Sequence, residues 1–543
     1  GGGGCGPFAC APKVVGCPVP AKLAAAVVSS TRRYIMADLR MAAPLIQSLD
    51  QHVDIETPEQ VVFSYTVAGI GSRAVAALID YMLCALLVTA ISIGAVSFFG
   101  ALRIAGSAPW VLAILILLVF SVFWGYYVLF EGLWDGQTPG KRRVGLRVVR
   151  DGGYSITFAA SAVRNIVRVV DLQPGASYGV GMLSAIFSAS GKRLGDYAAG
   201  TLVVRERAIS IPTSPADSGD GRQWARWREF SAMLAAAQRN GLRGLSETAV
   251  SDFVARYREL ATDLARLQTA ARGREIDSVF YLSRLVAGGH NLLYRDRRVT
   301  SASAWEFLTY TVPREIRRSA LPIGIAAVLL FGPAAIAYVA VARSPAVAAD
   351  FIPQQMIDRA EEGVQRARNE QGYIPDPQLF RPIMSSAIIA NNVQVTYLAF
   401  AGGILAGLGT VAALVFNGIS LGGVLGLYQS KGILPLILAF VAPHGVLELS
   451  AIVIAGGAGL LLGAAIVVPG ARPRREVLVD HARRAIQLVA ASTVLLVFAG
   501  TLEGFVSPIP WWTLGQKVTV SALSAAFLVL FINLDRGRVA SSS

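Results

Sequence analysis

Asp80 lies in the apolar run RAVAALIDYMLCALLVTAISIGA, and His444 and Glu448 lie in FVAPHGVLELSAIVIAGGAGLLLGA. A carboxylate in hydrocarbon costs roughly 2.5–3.5 kcal/mol even on lenient insertion scales, so such a group faces a partner, water or cargo. His444 and Glu448 stand four residues apart, on one face of a helix, where they can share a proton or offer two ligands to a metal. Pro443 just before them suits the first turn of a helix. Zinc needs at least one more protein ligand, and neither HExxH nor CxxC occurs in the chain. No metal and no other cofactor is therefore expected. Glu503 sits near the end of a further apolar run, ahead of Pro508 and Pro510, and meets Glu448 if the two helices pack together. Two acids in one site share protons, in proton-coupled carriers and in buried structural pairs alike.

Arg73 and Asp80 are seven residues apart, two turns along one helix face, with Asp80 about 10 Å deeper by helical rise. Arg73 is placed near the interface, where its guanidinium can snorkel. Asp196 follows Lys192 and Arg193 in a Gly-flanked turn, from which it can reach Arg73 or cap a neighbouring helix. Two readings of these three residues stay open: an ion-pair lock that orients helices, and a cation or proton site built on Asp80. Gly140-Lys141 is followed by Arg142 rather than Ser or Thr, so no phosphate-cradling loop is present. No constellation for catalysis emerges, and the chain is expected not to be an enzyme.

These residues sit in a chain of 543 residues that is 54% hydrophobic and only 15% charged. Its mean hydropathy of +0.53 places it outside the range of soluble proteins of this size and identifies a polytopic membrane protein. The net charge of +14 belongs to cytoplasmic loops rather than to nucleic-acid binding. Cys5, Cys10 and Cys17 lie in a Gly-rich leader and Cys84 in an apolar helix, so no disulfide framework follows.

The expected architecture is an all-α polytopic integral membrane protein with two helical membrane domains. Residues 1–54 read as a disordered or misassigned extension, 55–207 as a first membrane domain and 208–318 as an Arg-rich cytoplasmic helical region. Residues 319–535 read as a six-span membrane domain, and 536–543 as a cytoplasmic tail. Spans are expected at 73–100 and 110–130, then at 319–342, 384–416, 419–443, 445–468, 485–506 and 517–534. Lys431, Gly432 and Pro435 interrupt 419–443 and suggest two half-helices. The alternation of Val144, Leu146 and Val148 between turn residues predicts a small β-hairpin at the membrane surface. Arg164 and Arg168, one turn apart, suggest an interfacial amphipathic helix within 159–190, followed by a re-entrant or hairpin segment. Gly403 and Gly407 are spaced for close helix packing.

In order, SRAVAALIDY, GQTPGKRRVGLRVV and GKRLGDYAAGTLVV resemble the RDD family of membrane proteins over about residues 55–207. The Arg and two Asp of that family correspond to Arg73, Asp80 and Asp196. The remainder, about 220–535, resembles the stage II sporulation protein M family. The likeness rests on YRELATDLARL, the segment around His290 and Tyr294, PREIR, APHGVLELSAIVIAGGAGL and AGTLEGFVSP. The first resemblance implies cation/proton exchange, a role proposed for some members; the second implies a membrane scaffold in peptidoglycan remodelling. The combined expectation is a multi-pass protein of the bacterial inner membrane, acting as a scaffold or transport-complex component of the cell envelope. A cation/proton-coupled transporter using Asp80 and Glu448, and a septum-type remodelling partner, are the alternatives. The expected partners are the lipid bilayer, other membrane or envelope proteins and a small cation or proton, with no nucleic acid.

Overall fold

The computed structural model describes residues 52–56, 62–101, 108–174, 177–205, 221–240, 246–271, 277–293, 305–374, 377–509 and 511–534. The expectations for the N-terminal extension up to residue 51, for residues 210–220 of the linker SIPTSPADSGDGRQ and for the C-terminal tail fall outside these residues.

Apart from short strands, the described chain is helical, because its long apolar runs satisfy every backbone polar group within one segment, as a bilayer requires. After the strands β1 (His52–Glu56) and β2 (Val62–Thr66) come the long helices α1 (Ile70–Ala101) and α2 (Ala108–Leu133). A compact cap follows, made of α3 (Pro139–Val144), β3 (Leu146–Arg150), α4 (Phe158–Asp171), α5 (Gly179–Phe187), α6 (Leu194–Ala199) and β4 (Thr201–Arg205). Three polar helices come next, α7 (Gly221–Asn240), α8 (Glu247–Ala271) and α9 (Asp277–Leu293). The last part is α10 (Val312–Arg318), α11 (Ala320–Arg343), α12 (Gln354–Arg368), α13 (Pro377–Ala401), α14 (Leu408–Ser430), α15 (Leu434–Val467), α16 (Arg474–Phe505) and α17 (Leu514–Asn533).

Among the described residues, eight helices are long and apolar enough to cross a membrane: α1, α2, α11 and α13 to α17. Leu78, Met82 and Leu86, at successive i, i+4 positions of α1, are exposed, as are Leu321, Val328 and Ile336 on α11. Such apolar ridges suit contact with lipid tails.

The division of the last six helices differs from the one expected. The run 384–416 does not form one span: α13 stops at Ala401, and a 3-10 turn at Gly402–Ile404 with Gly407 at φ 84° redirects the chain into α14. Lys431 and Gly432 form the turn between two complete helices, and Pro435 opens the second of them, so no half-helices occur here. Pro443 lies inside α15 rather than at a helix start. At 34 residues, α15 is about 50 Å long, well beyond a hydrocarbon core of about 30 Å.

The small sheet is present, but its pairing is not local. β3 runs antiparallel to β4, with Val148 opposite Val203, fifty-five residues along the chain. Leu146, Val148, Leu202 and Val203 are all buried, so the sheet is a pinned seam of the cap rather than an exposed hairpin. Arg164 and Arg168 also turn inward: both are buried in α4, so this helix is not a surface-lying amphipath.

The two membrane blocks share one core. A single cluster of buried residues runs from Leu146, Val163 and Ala198 to Phe400, Leu447 and Leu488. Trp124 of α2 meets Tyr397 of α13 edge to face at 4.9 Å. Close approach in the second block relies on glycine: a Cβ on Gly403 would sit 2.2 Å from the Gly459 carbonyl oxygen. The helices α7 to α9 form a core of their own around Trp227, Phe230, Phe253 and Leu264. It touches the cap through Tyr154, whose ring lies 4.7 Å from that of His290.

Candidate functional site

Two clusters of ionisable groups among the described residues contain the sequence candidates. The first joins α1, α2 and the cap. Asp80 is fully buried, and its partners are neutral: the Tyr126 hydroxyl donates to Oδ1 at 2.9 Å, the Gly140 amide to Oδ1 at 2.7 Å and the Thr138 hydroxyl to Oδ2 at 2.6 Å. The sequence GQTPGK makes this possible. Thr138 caps α3 by accepting from the Lys141 amide, Pro139 opens the helix, and Gly140 leaves room for the carboxylate beside its N–H.

Arg73 does not pair with Asp80. Its guanidinium turns inward instead of snorkelling: Nε donates to the Ala68 carbonyl at 3.0 Å, and Nη1 lies 3.5 Å from Asp196 Oδ2. Asp196 also receives Arg164 Nη1 at 2.9 Å and Arg193 Nε at 3.7 Å, and accepts the Arg193 amide at 3.2 Å. Asp196 thus reaches Arg73, and it caps the start of its own helix α6 rather than a neighbouring one. Burial alone would raise its pKa, but Arg164, Arg193 and Arg73 outweigh burial and hold it well below the usual carboxylate range.

The sequence reading missed Glu131, which is fully buried at the end of α2. It pairs with Lys141, receives Arg164 Nε at 3.2 Å and accepts from Asn165 at 3.0 Å. Arg164 therefore bridges two carboxylates. The signal was available: Glu131 is an acid inside an apolar run, the criterion that singled out Asp80. Burial lowers the Lys141 pKa to about 8 despite Glu131 beside it.

The second cluster joins α15, α16 and the turn after α16. His444 Nε2 lies 3.5 Å from Glu448 Oε2 and 3.7 Å from Glu503 Oε2. The outward atoms of His444 and Glu448 are occupied. His444 Nδ1 bonds the Ser507 hydroxyl at 2.9 Å, and Asn392 of α13 donates to Glu448 Oε1 at 2.7 Å. Lys517 of α17 donates to the Ser507 carbonyl at 2.8 Å and braces the turn. One inward atom is left unsatisfied: Glu503 Oε2 is buried with no hydrogen-bond partner. The sequence left His444 and Glu448 one ligand short, and the fold brings Glu503 as a third donor, with all three ligand atoms within 4.8 Å of one another. Ligands 2.0–2.2 Å from a tetrahedral metal stand roughly 3.4 Å apart, so 3.5 and 3.7 Å are too long for hydrogen bonds and suit an ion between the atoms.

Of the sequence candidates, the fold brings Arg73 to Asp196, and His444 to both Glu448 and Glu503. Asp80 makes no ion pair among the described residues and is held by three neutral donors.

Family models match three stretches of this chain: the RDD family at 67–200, a domain of unknown function (DUF8413) at 222–295, and stage II sporulation protein M at 326–508. The YRELATDLARL, His290 and Tyr294 positions fall on the second of these. An uncharacterized protein of Methanocaldococcus jannaschii is 31% identical over 138 residues, covering 25% of this chain and 75% of that protein. No solved structure matches.

Proposed function

Because this chain belongs to the RDD family and to the stage II sporulation protein M family, fused in one polypeptide, we propose that it is a transport component of the cell membrane whose cation site is His444, Glu448 and Glu503. The observation that carries this reading is the inward convergence of one imidazole nitrogen and two carboxylate oxygens, with the outer atoms of His444 and Glu448 held by Ser507 and Asn392. A buried cluster of this kind rests on either a proton or a divalent cation, and exchanging one for the other is the elementary step of a cation/proton-coupled carrier. A nitrogen and two oxygens suit Zn2+ or Mn2+ better than soft ions that prefer sulfur. Asp80, held by three neutral donors, serves as an anchor between α1 and α3.

The test is cation-dependent proton movement in proteoliposomes holding the full chain, with Mn2+ or Zn2+ supplied on one side. The expected result is coupled flux that is lost in Glu448→Gln and Glu503→Gln but retained in Asp80→Asn. Absence of flux from the intact chain would overturn the transport reading.

A second reading has its own support. Helices α7 to α9 carry a separate core, which suits an Arg-rich cytoplasmic module that recruits a partner in the envelope. Under this reading, deleting 208–318 abolishes recruitment while the membrane part still inserts, and unchanged recruitment would sink it.

A further inference from the structure

In the RDD block, a partly open cavity of about 30 Å³ is lined by α1, α2, α4 and the residues around Tyr178 and Arg193. Its polar lining divides into acceptors that are used and donors that are not. The two carboxylates on its wall are Asp80 and Glu131. Both oxygens of each are engaged, by Tyr126, Gly140 and Thr138 in one case and by Lys141, Arg164 and Asn165 in the other.

The donors are left over. Arg73 Nη2 and the Tyr127 hydroxyl are buried with no partner, and Arg73 Nη1 and Arg193 Nε make no hydrogen bond beyond their long ion-pair approaches of 3.5 and 3.7 Å to Asp196; all three residues line this cavity. Arg168 lines it too. It is 6% exposed, its guanidinium lies over the Tyr127 ring at 3.8 Å, and no carboxylate pairs with it among the described residues. Leaving such donors dry is costly, on the order of 1–3 kcal/mol for each group and more for charged ones. What the chamber lacks is an acceptor carrying one negative charge.

We propose that this cavity binds one small monovalent anion of chloride size, held by Arg168, Arg73, Arg193 and the Tyr127 hydroxyl. Its volume is above the roughly 10–15 Å³ that one water requires, so a small anion fits. The anion neutralises Arg168 and fastens α1, α2 and α4 around a common point. The site is independent of the cation cluster in the other block.

The test is thermal unfolding of the full chain in detergent at fixed ionic strength, comparing chloride, bromide, gluconate and phosphate as sodium salts. Chloride and bromide are expected to raise the midpoint over gluconate saturably, by about 2 °C or more. In Arg168→Gln that increment vanishes. Tyr127→Phe, a milder change, should weaken it and serves if Arg168→Gln fails to fold. Bromide anomalous diffraction is expected to place a peak in the cavity. Equal midpoints in chloride and gluconate, an increment that survives in both variants, or a peak elsewhere would assign the cavity to water alone and overturn the proposal. Stronger stabilisation by phosphate than by chloride would overturn the chloride-sized assignment.

Discussion

The amide of Gly140 donates to Oδ1 of Asp80 at 2.7 Å, a contact that joins a membrane helix to the start of the cap across sixty residues of chain. A methyl group at Gly140 would meet the Ala76 carbonyl oxygen at 2.2 Å and the Asp80 carboxylate at 2.8 Å. Gly140→Ala should therefore destabilise the protein by about 1–3 kcal/mol through forced separation of α1 and α3. Asp80→Asn keeps one acceptor but turns a donor towards the Thr138 hydroxyl, and should cost about 1–2 kcal/mol while leaving cation transport in place. Unfolding midpoints of the purified variants check both.

Asp196 sets an acid limit on stability. Its native pKa lies below the ordinary 3.8, so its contribution is fully present above that value and drains away as pH falls through it towards the native one. Asp196→Asn leaves Arg164 and Arg193 buried without their shared carboxylate and should cost about 3–5 kcal/mol near neutral pH. The difference between wild type and Asp196→Asn should narrow below pH 4, as measured by unfolding across a pH series.

Lys141 acts at the other end of the scale. Its native pKa is lowered to about 8 from 10.5, so between these values the unfolded chain holds a proton that the native chain has released. Stability from this group should rise as pH increases from 8 to 10.5. Lys141→Met should remove that slope, a difference visible in the same pH series.

Ser507 orients the His444 imidazole through Nδ1 and so leaves Nε2 facing the two glutamates. Partners of this kind commonly contribute 10–100-fold to metal affinity. Ser507→Ala should weaken Mn2+ or Zn2+ binding by about that factor without removing a ligand, while Glu503→Gln should abolish it. Calorimetric titration of the detergent-solubilised chain measures both.

Helix packing in the second block depends on a backbone contact at Gly403 and Gly459. Gly403→Ala places a Cβ 2.2 Å from a backbone oxygen, which cannot move aside as a flexible side chain would. The expected loss is about 1–3 kcal/mol, read from the unfolding midpoint, with Ala at exposed Gly324 as a neutral control.

The membrane character of this chain, the eight apolar helices among the described residues and two of the buried acids, Asp80 and Asp196, were legible from sequence. Apolar length and the presence of an acid within it are local properties, and a bilayer reads them residue by residue. The boundaries around Gly402 and Lys431 were less legible, because Gly and Pro mark a turn and a kink with the same letters. Glu131 was visible by the same rule as Asp80, yet its place at the end of α2 let it pass for a loop residue.

What the sequence determined by itself is therefore composition along the membrane normal: which segments are apolar enough to cross and which polar groups they carry inside. Partnership was decided only by the tertiary structure. Asp80 went to neutral donors, Arg73 to Asp196, Arg164 to two acids at once, and Glu503 to His444 as the third member of a site. The physical reason is range. Hydrophobicity and helical period act over a few residues, whereas each of these pairs closes a loop of roughly 30 to 120 residues, and packed helices alone fix which side chains meet.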